Sequence, residues 1–154
     1  MGEPARTSKT PLYERDFFAW SEAQHRALRA RSSAGLDWDN LAAEIKSLGG
    51  SERSEIRSRL AFILNHLLKW QYQPSKRKTG WGASILEARD QINERLKESP
   101  SLRSYPAEVL PKQYVIARLR AADETNLPLV TFPERCPYTL AEILDETFLP
   151  GQHD

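Results

Sequence analysis

The stretch SERSEIRSRLAFILNHLLKW, residues 51–70, decides the fold class. Its large apolar side chains recur every three or four residues, the spacing that places side chains on one face of an α-helix. They are Ile56, Leu60, Ile63, Leu67 and Trp70. The middle of the stretch, LAFILNHLL, is apolar on nearly every side, which is typical of a helix inside a protein. We therefore expect a central helix from Ser51 to Pro74, with the last four of those side chains among the most buried.

Two shorter helices are predicted before this central one. The first, over about residues 12–31, begins at Thr10-Pro11, where a capping residue precedes a proline in the first turn. The second is capped by Asp37 or Asp39 and ends at Gly49-Gly50, since glycine readily adopts the left-handed conformation that closes a helix. Their apolar stripes are Tyr13, Phe17, Trp20 and Leu28 in the first helix, and Trp38, Leu41, Ile45 and Leu48 in the second.

After the central helix the chain becomes more irregular. A loop, SKRKTGWG, precedes a helix over about residues 81–98, and a turn at Pro106 and Pro111 precedes a helix over about residues 111–126. Seven of the ten prolines lie from residue 100 onward, and each removes a backbone donor and restricts the residue before it. The segment NLPLVTFPERCPY is therefore expected to be extended and irregular.

The end of the chain shows one more helix signal. Thr139 and Glu142 have the spacing of a capping box for a short final helix, TLAEILDE. No segment alternates with the period of two that a half-buried strand requires. The expected fold is all-α: a single domain over residues 11–150, built as a bundle of about five main helices with a proline-rich carboxy-terminal arm. Residues 1–10 are expected to be a disordered polar tail and residues 151–154 a second tail.

Composition excludes several classes of protein. Among the 154 residues, 40% are hydrophobic and 28% charged, as in an ordinary globular domain, and a net charge of +1 gives no global attraction to nucleic acid or membranes. Cys136 is the only cysteine, so an intrachain disulfide and a multi-thiolate zinc site are excluded. No apolar run approaches the length of a membrane span, and the first ten residues have no hydrophobic leader segment. We expect a cytoplasmic protein with no membrane partner.

Several short signatures follow one another in a recognisable order. They are YERDFFAW, NLAAEIKSLG, SRLAFILNHLLKWQYQP, PSL, FPERCPYTLAEILD and FLP. Together they resemble the bacterial domain-of-unknown-function family 29, whose members are typically cyanobacterial and proteobacterial and about this long. The resemblance covers roughly residues 12–150 and implies a helical bundle from a bacterium. It implies no activity and no site residues.

Arg59 and His66 are the first candidates for catalysis. Seven residues of helix turn through about 700°, so both side chains project from nearly the same side. Arg-x6-His falls within the spacing of metal-independent ribonucleases on the helical HEPN scaffold, where His moves a proton and Arg holds the phosphate. Those enzymes place a polar residue after Arg, whereas Leu60 stands here. We favour the alternative, in which His66 packs beside Trp70 and Arg59 is a solvated rim residue.

Asp16 and Glu44 border the apolar stripes of the first two helices. Carboxylates in such places are rarely unpaired when buried, so we expect one of them to pair with Lys69, Arg59 or His66 on the central helix. A structural ion pair is the favoured interpretation. The alternative is a small polar cavity in which the two carboxylates and His66 bind a metal or transfer protons. One histidine with two acids has no diagnostic spacing, and no metal is assigned.

The segment LLKWQYQPSKRKTGW, residues 67–81, is the candidate nucleic-acid surface. Lys69, Lys76, Arg77 and Lys78 are its cations, and Trp81 is available to stack on a base. Residues 51–78 carry seven cations and two acids, as expected of a weak nucleic-acid binder. We favour the alternative that the segment ends a buried helix, with Trp70 in the core, and continues into a solvated loop.

The remaining sequence features exclude functions more than they indicate one. Cys136 becomes a candidate nucleophile only with His66 or His25 nearby, and a small buried side chain between prolines is the favoured interpretation. The sequence has no Gly-rich phosphate loop, no HExxH motif and no nucleophile elbow, so no cofactor is expected. We expect a non-catalytic interaction module with a protein partner, a second copy of the chain or a weak nucleic-acid partner. The alternative is the HEPN-like ribonuclease.

Overall fold

The structure is a computed structural model that describes residues 10–151. Within this range the chain forms α-helices and no β-strand, which confirms the all-α class. The helices are α1 (Leu12–Arg15), α2 (Phe17–Arg29), α3 (Trp38–Tyr72), α4 (Thr79–Glu98), α5 (Tyr105–Thr125) and α6 (Leu140–Leu144). None of these described helices is both long and apolar enough to cross a membrane.

The chain divides into two compact units, and each is described by itself. The N-terminal unit is residues 1–49 and the C-terminal unit is residues 50–154. The prediction of one domain over residues 11–150 stays a prediction. The predicted tails, residues 1–10 and 151–154, lie outside the described residues except for Thr10 and Gly151.

The predicted first helix, residues 12–31, is broken at Asp16. This residue has extended backbone angles, φ −153° and ψ 90°, and separates α1 from α2. Its carboxylate accepts a hydrogen bond from the backbone N–H of Ala19 at 3.0 Å. Asp16 is therefore the N-cap of α2, because an aspartate can satisfy one of the free N–H groups of a helix start. The prediction of one uninterrupted helix across this position is wrong, although the rings of the stripe residues Tyr13, Phe17 and Trp20 still pack on one another.

The predicted helix end at Gly49-Gly50 is also wrong, because α3 is continuous from Trp38 to Tyr72. Neither glycine has the positive φ that closes a helix; among described glycines only Gly151 does. A glycine inside a helix costs about 1 kcal/mol relative to alanine, which weakens a helix without ending it. The two predicted helices are therefore one helix of 35 residues.

The core of the C-terminal unit surrounds the second half of α3. Leu60, Ile63 and Leu67 are fully buried, as predicted, but Trp70 is only partly buried. Residues from α4, α5 and the carboxy-terminal segment complete this core. They are Ile85, Ala88, Ile92, Tyr114, Ala117, Ala121, Phe132, Tyr138 and Ile143.

The carboxy-terminal half differs from the prediction mainly at one helix start. α4 occupies nearly the predicted range, whereas α5 begins at Tyr105 and includes both Pro106 and Pro111. Pro106 lies in the first turn, where the missing N–H has no intrahelical partner to lose. The chain is irregular from Asn126 to Thr139, apart from a 3-10 turn, as predicted. The capping box of Thr139 and Glu142 is confirmed at the start of α6.

Candidate functional site

A polar cluster connects α3 and α5 in the C-terminal unit. Glu124 Oε2 lies 2.8 Å from Lys69 Nζ and 3.0 Å from Asn65 Nδ2. Burial alone would raise the pKa of Glu124, but the hydrogen bonds from Lys69 and Asn65 lower this pKa below its ordinary value. Neither Asn65 nor Glu124 was predicted from the sequence, although an asparagine inside the apolar run LAFILNHLL signals a buried polar contact.

His66 lies beside this cluster and is held by its own helix. Its Nδ1 is 2.9 Å from the carbonyl oxygen of Phe62. Because a carbonyl only accepts, Nδ1 carries the proton and Nε2 the lone pair. The imidazole stacks on Phe62 with ring centroids 4.0 Å apart, and Trp81 meets it edge-on at 6.4 Å. Burial, assisted by the charge of Lys69, lowers the pKa of His66, so the ring is neutral near pH 7.

Arg59, the other residue of the predicted catalytic pair, is engaged by a carboxylate. Its Nε lies 3.0 Å from Glu55 Oε1, one helical turn earlier, and both side chains are about one-third exposed. His66 and Arg59 thus each have a partner four residues before them on α3. The catalytic role of the pair stays a prediction.

In the predicted nucleic-acid segment, two of the four cations, Lys69 and Arg77, contact other residues of the C-terminal unit. Arg77 turns back toward the end of α3: its Nε donates to the carbonyl of Trp70 at 2.9 Å, and its Cζ lies 4.7 Å from the centre of that indole. Lys69 Nζ lies 5.2 Å from the centre of the Trp81 ring. Lys76 and Lys78 are exposed, as expected for a solvated loop. Nucleic-acid binding by this segment stays a prediction.

Asp16 and Glu44, the predicted cavity carboxylates, lie in the N-terminal unit and have partners there. Asp16 caps α2, and Glu44 accepts a hydrogen bond from the Tyr13 hydroxyl. Lys69, which was expected to pair with one of them, pairs with Glu124. Each of the three residues is therefore bound to a partner that was not predicted from the sequence.

A second polar network fixes the turn between α2 and α3, and of its residues only Asp37 was predicted from the sequence, as a capping residue. Asp37 Oδ2 accepts from Trp20 Nε1 at 3.0 Å and from Asn40 Nδ2 at 2.8 Å. The backbone N–H of Asp37 donates to Gln24 Oε1 at 2.7 Å. The hydrogen bonds from Asn40 and then Trp20 lower the pKa of Asp37. The ionised carboxylate therefore stabilises the N-terminal unit.

Six large apolar side chains are exposed in this unit, and all of them except Phe18 belong to the apolar stripes predicted from the sequence. We call them the N-terminal apolar residues: Phe17, Phe18, Leu28, Trp38, Ile45 and Leu48. Each is more than half exposed, and Phe18 reaches 74%. On α3, Trp38, Ile45 and Leu48 recur at intervals of seven and three residues and so share one helical face. An exposed apolar face of this kind is typical of an interaction site.

Comparison with known proteins identifies the family. The model of the domain of unknown function DUF29 matches residues 12–149. The chain belongs to the DUF29 family. This agrees with the resemblance carried by the short signatures, and the family has no assigned activity. No curated protein and no solved structure matches this DUF29 chain.

A buried arginine in the DUF29 chain holds the end of α6. Arg89 is 1% exposed; its Nε donates to the carbonyl of Ile143 at 2.7 Å and its guanidinium to the carbonyl of Glu142 at 3.2 Å. Asn93, one turn later on α4, donates to the carbonyl of Leu144 at 3.3 Å. The carbonyls of Ile143 and Leu144, which the helix end leaves without backbone partners, are thus satisfied, and the carbonyl of Glu142 gains a second donor beside the N–H of Asp145. Arg89 interrupts the apolar stripe of α4, which was the available sequence signal.

The remaining candidates in this DUF29 chain are a thiol and a metal site. Cys136 Sγ donates to the carbonyl of Tyr138 at 3.4 Å, and burial raises the pKa of the Cys136 thiol. A protonated thiol is a poor nucleophile, which supports a packing role. Within residues 10–151 no three His, Cys, Asp or Glu side chains are grouped so that they could hold a metal ion.

Proposed function

We propose that this DUF29 chain is a non-catalytic interaction module that binds a second copy of itself through the N-terminal apolar residues. The observation that carries the proposal is the exposure of six large apolar side chains in a unit of fewer than 50 residues. Burying such side chains against a partner removes apolar surface from water at about 25 cal/mol per Å². The face of Trp38, Ile45 and Leu48 extends over about 15 Å of helix, which is long enough to seat a second helix.

The charge of this unit supports a second copy as the partner. Residues 10–49 carry five cations (Arg15, Arg26, Arg29, Arg31, Lys46) and six acids (Glu14, Asp16, Glu22, Asp37, Asp39, Glu44). Two identical surfaces of nearly zero net charge can approach without electrostatic repulsion. A strongly charged partner would gain little electrostatic attraction from such a surface. A twofold interface places the same residues on both sides and so needs a self-complementary surface, and an apolar face meets that need.

The ribonuclease alternative is not proposed. It needs Arg59 as a free cation for a phosphate, but the guanidinium is paired with Glu55. The neutral His66 of the C-terminal unit can accept a proton. Without a free cation to hold the phosphate, however, proton transfer alone does not make this reaction possible.

The test is the oligomeric state of the full chain. We expect a dimer in analytical ultracentrifugation at about 100 μM, and a monomer for the double variant Ile45→Glu/Leu48→Glu, because a buried unpaired charge opposes association. Ala43→Glu is the matched control, since Ala43 is exposed on the side of α3 that points away from Ile45 and Leu48. A monomeric parent protein, or a double variant that still forms the dimer, would overturn the proposal. Far-UV circular dichroism checks that each variant is folded.

A further inference from the structure

A second surface, in the C-terminal unit, has a different chemistry. A groove of about 530 Å³ lies between the α3 residues Arg57 and Ser58 and the α5 residues Lys112, Gln113 and Arg120. Three of these side chains are cationic, and no acidic side chain lines the groove. Its volume falls within the range of about 300–1,000 Å³ that is usual for small-ligand sites.

Three other cations of the unit have acidic partners, whereas the cations of this groove have none among the described ion pairs. Arg59, Lys69 and Arg95 each form an ion pair with a glutamate. The ion pairs formed among residues 10–151 do not include Arg57, Lys112 or Arg120. Three neighbouring positive charges without a carboxylate repel one another, so a bound anion would relieve an unfavourable arrangement.

Arg57 is nonetheless held in place. Its Nη1 donates to the Tyr105 hydroxyl at 2.5 Å, and Arg53 lies over the same tyrosine ring with its Cζ 5.5 Å from the ring centre. A guanidinium has five N–H donors in a planar fork, and this bond uses only one of them. Arg57 is therefore pre-oriented and keeps donors for a ligand.

The rest of the groove combines neutral donors with an apolar wall. Ser58 and Gln113 are the neutral polar residues of the lining, and Gln113 is only 6% exposed. Ala61, Val109 and Ile116 form the apolar part of the lining. A ligand with an anionic group and an apolar body would use both halves, since apolar linings with a few placed polar groups are the usual composition of ligand sites.

We propose that this groove binds a small organic phosphomonoester. A phosphomonoester carries a charge between −1.5 and −2 near pH 7 and offers three strong acceptor oxygens. Three cations, a hydroxyl and an amide match that charge and that number of acceptors better than they match a monocarboxylate. The apolar wall of Val109 and Ile116 then contacts the organic part of the ligand. This site lies wholly in the C-terminal unit and does not depend on the proposed self-association.

Binding is tested with phenyl phosphate, inorganic phosphate and phenol as probes on the full chain. We expect saturable binding of phenyl phosphate by isothermal titration calorimetry, weaker binding of inorganic phosphate, and no saturable binding of phenol. The double variant Lys112→Gln/Arg120→Gln should weaken phenyl phosphate binding about tenfold or more, because it removes two charge-assisted contacts. Both positions are exposed, so the double variant is expected to fold.

Arg135→Gln is the matched control, because Arg135 is exposed and does not line the groove. It should leave the affinity within about twofold of the parent value, and it separates a local contact from a general loss of positive charge. Absence of saturable phenyl phosphate binding at millimolar concentration would overturn the proposal, as would equal weakening by Arg135→Gln. Equal affinities for inorganic phosphate and phenyl phosphate would overturn the role of the apolar wall.

Discussion

At the scale of single residues, Arg89 is a charged side chain that is almost completely buried in the C-terminal unit. Removing a guanidinium from water is costly unless its donors are satisfied. Burial lowers the pKa of Arg89, and the nearby carboxylate of Asp145 acts in the opposite direction. The carbonyls that it binds form the negative end of the α6 dipole, where a cation is favoured. Arg89 therefore fixes a helix of only five residues against α4.

We predict that Arg89→Ala lowers the free energy of unfolding by about 3 kcal/mol. The variant loses a charge-assisted hydrogen bond and leaves the carbonyl of Ile143 unpaired, and each effect typically costs about 1–3 kcal/mol. Urea denaturation followed by circular dichroism measures the change. Arg103→Ala, at an exposed position, is the control and should stay within about 0.5 kcal/mol of the parent protein. Equal effects of the two substitutions would show that Arg89 does not hold α6.

At the scale of elements, the continuity of α3 through Gly49-Gly50 has a consequence for stability. A Cβ added at either glycine meets no atom within 4 Å, so alanine fits without repacking. Alanine also restricts the unfolded chain more than glycine does. A helix that truly ended at these glycines would respond in the opposite way, because the left-handed conformation disfavours alanine.

We predict that Gly49→Ala and Gly50→Ala each raise the free energy of unfolding by about 0.5–1 kcal/mol, as in other helix interiors. Thermal and urea denaturation provide the measurement. Gly151→Ala is the contrasting control, since Gly151 has φ +84° and an alanine there is strained. Destabilisation by both helix substitutions would place a helix end at Gly49-Gly50 and contradict the continuous α3.

The errors at these elements have a common physical origin. Local signals predict that a residue can cap or end a helix, and they do not settle whether it does. Asp16 has the side chain of an N-cap within a stripe that looked continuous, and Gly49-Gly50 has the residues of a helix end inside a continuous helix. Pro111 is similar, because the helix continues past the proline despite the lost donor. Where a signal needs a specific reciprocal partner, as in the Thr139–Glu142 capping box, the prediction was correct.

At the scale of the whole chain, periodicity predicted the core of the C-terminal unit but not the exposure of the N-terminal unit. Leu60, Ile63 and Leu67 are buried because neighbouring helices cover them. Trp38 and Ile45 have the same spacing but remain exposed. A stripe shows which side chains share a helical face. Whether that face is buried depends on whether segments distant in the sequence cover it. The groove cations Arg57, Lys112 and Arg120 were missed for the same reason, because only folding brings them together.

The charge network of the whole chain determines how stability depends on pH. Burial lowers the pKa of His66 below its ordinary 6.5, so near that pH the unfolded chain binds a proton that the folded chain does not. Stability then decreases as the pH falls from 6.5 through the folded pKa of His66. The pKa values of Asp37, Glu124 and Asp145 are also lowered, mainly by hydrogen bonds to their carboxylates. Their contribution is present above their unfolded pKa values, near 4, and is lost as the pH falls further.

We therefore predict two separate losses of stability on acidification, and the first belongs to His66. His66→Gln should abolish the decrease in the free energy of unfolding that begins as the pH falls below about 6.5, while leaving the decrease that the carboxylates cause near and below pH 4. His25→Gln, at an exposed position in α2, should keep both decreases and serves as the control. Urea denaturation at half-unit pH intervals measures the profile for all three proteins. If the parent protein and His66→Gln lose stability in parallel as the pH falls below 6.5, the proton uptake belongs to another group and the neutral, partly buried imidazole assigned to His66 is wrong.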